Sequence, residues 1–277
     1  MLINKPNFFS FLFDSMLFRK PLDKLFVFVH LPKCAGTSLL KTFSQIGQRR
    51  FVVVAENDLK SEALSSLKLQ MAEHKITASR LDLVMGRDTY FGIQNVSPRE
   101  PYFFTFIREP IQRYLSQYRY YVDCASDPKH HAHEMAVDRL DDDGRRMSLE
   151  EYVESGRGDN FLCKVLGSIA PSRENHDWFW NVSDEEALFA AKEMIDHMSF
   201  IGFLDNIESD TKLICDQLKI KPELPTINRS FANITVSGTT RKMIERNNGL
   251  DIQLFEYAQN RRRELDSQRE LPLTRAI

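Results

Sequence analysis

The sequence lacks several features that would place it in a common functional class. Its 277 residues include 37 lysines and arginines against 39 aspartates and glutamates, and the net charge of −2 argues against a polycationic nucleic-acid binder. The four cysteines form no C-x-x-C pair, so we predict no zinc site and expect free thiols in a reducing compartment. Internal repeats and an obvious linker are also missing, which predicts one domain.

Long apolar runs are missing as well. The apolar cluster at 8–13 is interrupted by Asp14, and no small-residue cleavage site follows it. It is far shorter than the about 20 residues that a membrane-spanning helix needs. We therefore interpret 1–24 as an N-terminal extension without stable membrane insertion, 25–266 as the domain and 267–277 as a tail. A cytoplasmic, bacterial protein is expected.

Buried strands alternate with amphipathic helices along the domain. Continuous apolar runs predict strands at 25–31, 51–55, 81–85, 102–107 and 200–204. Helical spacing and capping residues predict intervening helices, among them one that starts at Thr37, one from Pro110 through 121, and a last one capped by Asp251. The polar segment 123–144 is interpreted as a surface excursion or lid. The fold class is therefore α/β, a single domain with a central parallel sheet flanked by helices.

The stretch from His30 to Ser38 carries the first chemical signal. A buried strand leads through a short loop to a helix start, where unpaired backbone N–H groups and the helix dipole favour an anion. In a nucleoside triphosphatase the loop would read G-x-x-x-x-G-K-[ST]. Here Lys33 precedes the single Gly36, so a magnesium-dependent kinase is the weaker reading. The alternative that this segment is only a strand–helix connection with an exposed lysine also stays open.

A second strand–turn–helix element at 104–118 narrows these alternatives. Arg108 ends the predicted strand, and Ser116 follows two helical turns later on the side of the same groove. An arginine fork and a hydroxyl together suit a terminal phosphate monoester. The alternatives are a salt bridge from Arg108 to Glu109 and an ordinary helix serine.

Together, Pro32-Lys33-x-x-Gly36-Thr37-Ser38 and Arg108-Glu109-Pro110-x-x-Arg113-x-x-Ser116-x-Tyr118 resemble the two nucleotide-binding signatures of sulfotransferases. The resemblance is strongest to the carbohydrate branch that includes heparan sulfate 2-O-sulfotransferase and its bacterial relatives. It implies a P-loop-like fold, the donor 3′-phosphoadenosine 5′-phosphosulfate (PAPS), no metal, and a saccharide or glycolipid hydroxyl as acceptor. It also assigns residues to the donor: the 5′-phosphosulfate to Lys33, Ala35, Gly36, Thr37 and Ser38, the 3′-phosphate to Arg108 and Ser116, and a closing loop at 228–242 to Arg229, Arg241 and Lys242.

The sequence departs from this branch where a general base is expected. Relatives have a histidine after the third strand, and the corresponding residue here is Arg87, which stays protonated and cannot accept a proton. Three explanations stay open: Asp88 is the base, a histidine of the polar segment (His130, His131 or His133) takes the role, or the protein binds PAPS without catalysis. Arg87 is then a candidate for binding an anionic acceptor. His30, inside the first strand, is interpreted as a core histidine.

Overall fold

A five-stranded parallel sheet forms the centre of the molecule. The computed structural model describes residues 20–47, 50–54, 60–86, 89, 92–142, 145–172, 182–225 and 235–270. Its strands are β1 (Leu25–Val29), β2 (Phe51–Val53), β3 (Leu83–Gly86), β4 (Pro101–Ile107) and, after a small two-stranded ladder of β5 (Asp141–Asp142) and β6 (Arg145–Arg146), β7 (Phe200–Phe203). The order across the sheet is β2-β3-β1-β4-β7, and every pairing is parallel. The predicted α/β fold class and all five predicted strands are confirmed.

Helices cover both faces of this sheet and its carboxyl edge. Their bounds are α1 Gly36–Phe43, α2 Lys60–Glu73, α3 Pro110–Ser126, α4 His133–Leu140, α5 Leu149–Glu154, α6 Phe161–Ser168, α7 Asp184–Asp196, α8 Ile207–Leu218, α9 Gly238–Asn247 and α10 Gly249–Glu270. The last helix extends beyond the predicted domain end at 266. None of the helices in the described ranges is both long enough and apolar enough to cross a membrane.

The strands are apolar on both sides because each face of the sheet has its own core. The alternating side chains of β1 enter these cores in turn. Leu25, Val27 and Val29 pack with α2, α6, α7 and α10, whereas Phe26 and Phe28 pack with α1 and α8. The rings of Phe28 and Phe104 stack at 4.9 Å between neighbouring strands. This double burial aligns the carboxyl ends of β1, β3 and β4 along one edge, where ligands of open parallel sheets bind.

A third core lies beyond that edge and corrects the prediction for 123–144. The prediction of an irregular surface excursion is wrong, because α3 continues to Ser126 and α4 follows it. Ala136 and Leu140 are fully buried against aromatic residues of α3 and α5. Two apolar residues one helical turn apart are therefore sufficient to dock a helix whose other residues are mostly polar.

Candidate functional site

The loop between β1 and α1 holds two non-glycine residues in the left-handed backbone region. Lys33 has φ 66° and Ala35 has φ 61°. Such conformations cost roughly 1–3 kcal/mol each and concentrate at functional sites. Ala35 is the N-cap of α1 and its side chain makes no capping hydrogen bond. The loop thus presents the start of α1 in the way that anion-binding loops do.

The predicted loop residues differ in how far they reach into solvent. Thr37 is exposed, Ala35 is half-buried, and Ser38 is buried. Lys33 is half-buried, and its Nζ lies 4.0 Å from the centroid of the Tyr120 ring on α3. This cation–π contact directs the amine toward the side of the loop where β4 and α3 lie.

His30 lies on the other side of the same loop. Its interpretation as a core residue is wrong, because the ring is only half-buried and lines a cavity of about 140 Å³. The imidazole occupies the space that a side chain at Gly36 would need, with Nε2 only 1.7 Å from the position of a Cβ there. The rest of the cavity wall comes from α1 and from the ends of β2 and β3: Thr37, Leu40, Val53, Val54, Met85 and Gly86.

The second signature begins at the end of β4. Arg108 is half-buried there, and Ser116 is half-buried on α3. The carboxylate of Glu109 caps α3, accepting from the backbone N–H groups of Ile111 at 3.1 Å and Gln112 at 2.8 Å. Glu109 therefore has a helix-capping role, which differs from the salt bridge to Arg108 that the sequence left open.

The two signatures meet at the carboxyl edge of the sheet. β1 and β4 are neighbours, and the hydroxyl of Thr105 donates to the carbonyl oxygen of Val29 at 2.8 Å. Beyond the strand ends, the backbone N–H of Arg108 donates to the thiol of Cys34. Burial raises the pKa of that thiol to about 11, so Cys34 is a neutral packing group between the two loops.

Three arginines converge beneath this junction. Burial lowers the pKa of Arg108, and repulsion from Arg119 and Arg113 lowers it further. Arg113 is fully buried, and its Nη2 donates to the carbonyl oxygen of Gly158 at 3.3 Å. Its Nε and Nη1, and the Nε of Arg119, are buried without a hydrogen-bond partner among the described residues. Buried donors of this kind are usually paired with an acceptor, and a cluster of guanidinium groups favours an anion.

Sequence reasoning missed Arg119 altogether and quoted Arg113 only as part of a motif. Both are placed by the helical period of α3, since Arg119 lies three residues after Ser116 and Arg113 lies three residues before it. That spacing was readable in the sequence. The burial of the guanidinium groups was not.

Asp251 takes a different role from the predicted one. Instead of capping its own helix, its carboxylate accepts from the backbone N–H groups of Leu162 at 3.0 Å and Cys163 at 2.9 Å, at the start of α6. The side chain of Asn160 in turn accepts from the N–H groups of Leu250 and Asp251 at the start of α10. The two helices thus cap each other, and the correction follows from packing that no local pattern encodes.

Two carboxylates lie close to the buried arginines. Burial raises the pKa of Asp251, and Arg113 opposes that rise. Burial also raises the pKa of Asp159 to about 6, with Lys164 acting in the opposite direction. Oδ1 of Asp159 is buried without a hydrogen-bond partner among the described residues. Arg113 therefore interacts electrostatically both with these carboxyl groups and with Arg108 and Cys34 of the signature loops.

Of the histidines in 123–144, His130 lies beside Tyr120, the ring that Lys33 contacts. The ring of His130 is 6.1 Å from the ring of Tyr120, and its Nε2 is 3.8 Å from the Sγ of Cys124. The ring of His131 lies 4.4 Å from that of His130 between centroids, at a tilt of 31°. His133 has turned toward the backbone, with Nδ1 3.1 Å from the carbonyl oxygen of Cys124. His130 and Lys33 thus share the neighbour Tyr120, whereas His133 is turned toward the backbone.

Several predicted residues are not part of this assembly. Arg87, Asp88 and Arg229 lie outside the described residues. Arg241 and Lys242 were expected in a loop but belong to the exposed first turns of α9, where Arg241 pairs with Glu245 at 3.0 Å. Within the described ranges, no group of three or more histidine, cysteine or acidic side chains is arranged to hold a metal ion.

Comparison with known proteins gives one family and two curated relatives. The model of the sulfotransferase family matches residues 16–258. Heparan-sulfate 6-O-sulfotransferase 3 of Mus musculus and of Homo sapiens are each 26% identical to the chain over 180 residues. Each match covers 58% of this chain and 38% of the relative, so well under half of each relative is represented.

Proposed function

Because the chain belongs to the sulfotransferase family, we propose that it transfers a sulfuryl group from PAPS to a hydroxyl group of a saccharide or glycolipid. The names of the two relatives support a glycan acceptor. A carbohydrate-sulfating role also agrees with the resemblance of the two signatures to the carbohydrate branch.

The observation that carries the proposal is the junction of the two signature loops above the buried arginines. In this assignment the first loop, with Lys33, Ala35, Gly36, Thr37 and Ser38, holds the 5′-phosphosulfate. Arg108 and Ser116 hold the 3′-phosphate, which distinguishes PAPS from ADP-like nucleotides. The buried N–H groups of Arg113 and Arg119 that have no partner in the described structure add positive charge where a phosphate would lie.

The geometry also supports a way to stabilise the leaving group. PAPS supplies the sulfuryl group, and negative charge develops on the oxygen that bridges sulfur and the departing 5′-phosphate. Lys33, with its amine on the β4 side of the loop, would neutralise that charge, and the N–H groups at the start of α1 would hold the phosphate. These donors are fixed before the reaction, so little reorganisation is needed.

Binding of adenosine 3′,5′-bisphosphate (PAP), measured calorimetrically against ADP with EDTA present, tests the donor site. We expect metal-free binding with a preference for PAP of about tenfold or more, because a hydrogen bond to a charged group contributes about 1.5–3 kcal/mol. Arg108→Ala should remove the preference. Arg80→Ala, an exposed arginine near the opposite edge of the sheet, is the matched control and should keep it.

Other outcomes would replace the proposal. Equal binding of PAP and ADP, or retention of the preference in Arg108→Ala, would exclude the 3′-phosphate site. Magnesium-dependent ATP binding would favour a kinase. Normal PAP binding without transfer to heparan sulfate or to other glycans would favour a non-catalytic PAPS-binding protein. The sequence feature that raises this alternative is Arg87, which stands where relatives have a histidine.

A further inference from the structure

The donor loop separates two polar side chains that an in-line displacement needs on opposite sides. Lys33 extends toward Tyr120 on α3, which follows β4. His30 faces the cavity bounded by β2 and β3. Since β4 and β3 flank β1 on opposite sides, the amine and the imidazole lie on opposite sides of the loop that β1 delivers. In an in-line reaction the leaving oxygen and the attacking oxygen are also opposite each other.

The cavity on the His30 side lies next to the donor loop, since Gly36 and Thr37 of that loop form part of its lining. Its described lining is mostly apolar, and among those residues His30 is the only titratable one. Lys33 and Cys34 belong to the adjoining donor loop and are not among the described lining residues, while 55–59, Arg87 and Asp88, which follow the lining strands, lie outside the described residues. Among side chains, imidazole has the ordinary pKa nearest to neutral pH, and this suits it to accept and release a proton.

His30 is held in this position by direct packing. Its Nε2, Cδ2 and Cε1 are the three atoms closest to the place of a Cβ on Gly36, at 1.7, 2.0 and 2.5 Å. Its ring also lies 6.1 Å from that of Phe28 in a stacked arrangement. Its backbone N–H donates to the carbonyl oxygen of Gly86 at 3.0 Å. The imidazole is therefore in contact with the first residue of α1, the helix whose start forms the donor loop.

We infer that His30 is the general base of the transfer, an inference that rests on the proposed function. The acceptor hydroxyl lies in the cavity and gives its proton to His30. Its oxygen forms a bond to the sulfur of PAPS, while the bond from sulfur to the bridging oxygen breaks and leaves its electron pair on the 5′-phosphate of PAP. Lys33 stabilises that leaving oxygen from the other side. A histidine in this position supplies the proton acceptor that Arg87 cannot be.

The kinetic test compares His30→Gln, His30→Ala and Asp88→Asn, with His74→Ala as the matched control at an exposed site. Release of PAP from PAPS is measured against pH with heparan sulfate and with water alone as acceptor. We expect both His30 variants to lose about 100-fold or more in kcat and to lose the fall in rate on the acid side of the profile. Added imidazole should restore part of the activity of His30→Ala, whereas Asp88→Asn should keep the acid limb.

A second measurement does not depend on turnover. In spectra of ¹⁵N-labelled imidazole groups, the signal absent from His30→Gln identifies His30. We expect PAP to shift this signal and to leave that of His74 unchanged, since the His30 ring packs directly against Gly36 of the donor loop. An unshifted His30 signal in a protein that binds PAP would overturn the inference.

These results separate the inference from the proposed function. If the wild type fails to bind PAP, the proposed function itself is excluded. If it binds PAP and the His30 variants turn over PAPS normally, or if Asp88→Asn removes the acid limb, His30 is not the base and the donor site stands. A wild type that binds PAP but turns over PAPS with neither acceptor overturns the role of His30, because no transfer exists for it to assist.

Discussion

Replacing Gly36 with alanine tests the packing of His30 against the donor loop. Gly36 is the first residue of α1, where alanine would ordinarily stabilise a helix by about 0.5–1 kcal/mol relative to glycine. In this structure the new methyl group would lie 1.7 Å from Nε2 of His30, so the ring must move. Overpacking of this kind costs about 1–3 kcal/mol. The expected net effect is a loss of about 0.5–2 kcal/mol in the free energy of unfolding.

The effect of Gly36→Ala on the free energy of unfolding should have the opposite sign when the imidazole of His30 is removed. In a His30→Ala background the three atoms closest to the new methyl group are gone, so Gly36→Ala should stabilise the protein by about 0.5–1 kcal/mol. Urea unfolding of the wild type, both single variants and the double variant gives the coupling between the two positions, which we expect to be about 1–3 kcal/mol. Additive effects, or a wild type stabilised by Gly36→Ala, would refute the described packing.

Two further predictions concern the acidic side of the site. Asp251→Ala leaves the buried N–H groups of Leu162 and Cys163 without an acceptor and should lower the free energy of unfolding by about 2–6 kcal/mol in urea titrations, whereas the exposed Asp205→Ala should change it by about 0.5 kcal/mol or less. Asp159 has a pKa raised to about 6 in the folded protein against about 3.9 when unfolded, so its contribution to stability is present below about pH 4 and is lost as the pH rises through 6. The melting temperature of the wild type should therefore contain a decrease between pH 4 and 6 that is absent in Asp159→Asn. Melting temperatures that change in parallel with pH in the two proteins would contradict the raised pKa of Asp159.

The elements that the sequence predicted well are those whose signal is local. The strand at β1 is a continuous apolar run because both of its faces are buried, and its successor loop has residues of an anion-binding turn. The capping box of Ser183 and Glu186 at the start of α7 is likewise a signal contained within four residues. The joint role of Arg108 and Ser116 stays a prediction, based on their places at one strand end and on the helix that follows it.

Prediction failed where a residue's role depends on a distant partner. Asp251 was expected to cap α10, but its oxygen atoms accept from residues 88 and 89 positions away in the chain. The helix α4 was missed because its two buried residues are surrounded by polar ones, and only contact with the third core makes them structural. Arg119 gave no distinct signal, since an arginine on a helix is usually solvated.

The sequence by itself determined the α/β class, the order of the elements and the two signatures at the ends of β1 and β4. Those features depend on hydrophobic periodicity and on turn residues within short windows, which act before distant segments meet. Only the tertiary structure decided that His30 faces a cavity, that Arg113 is fully buried, and that Arg113 and Arg119 both lie close enough to Arg108 to lower its pKa. Burial and through-space charge depend on which helices pack against one another, and that is a property of the assembled fold.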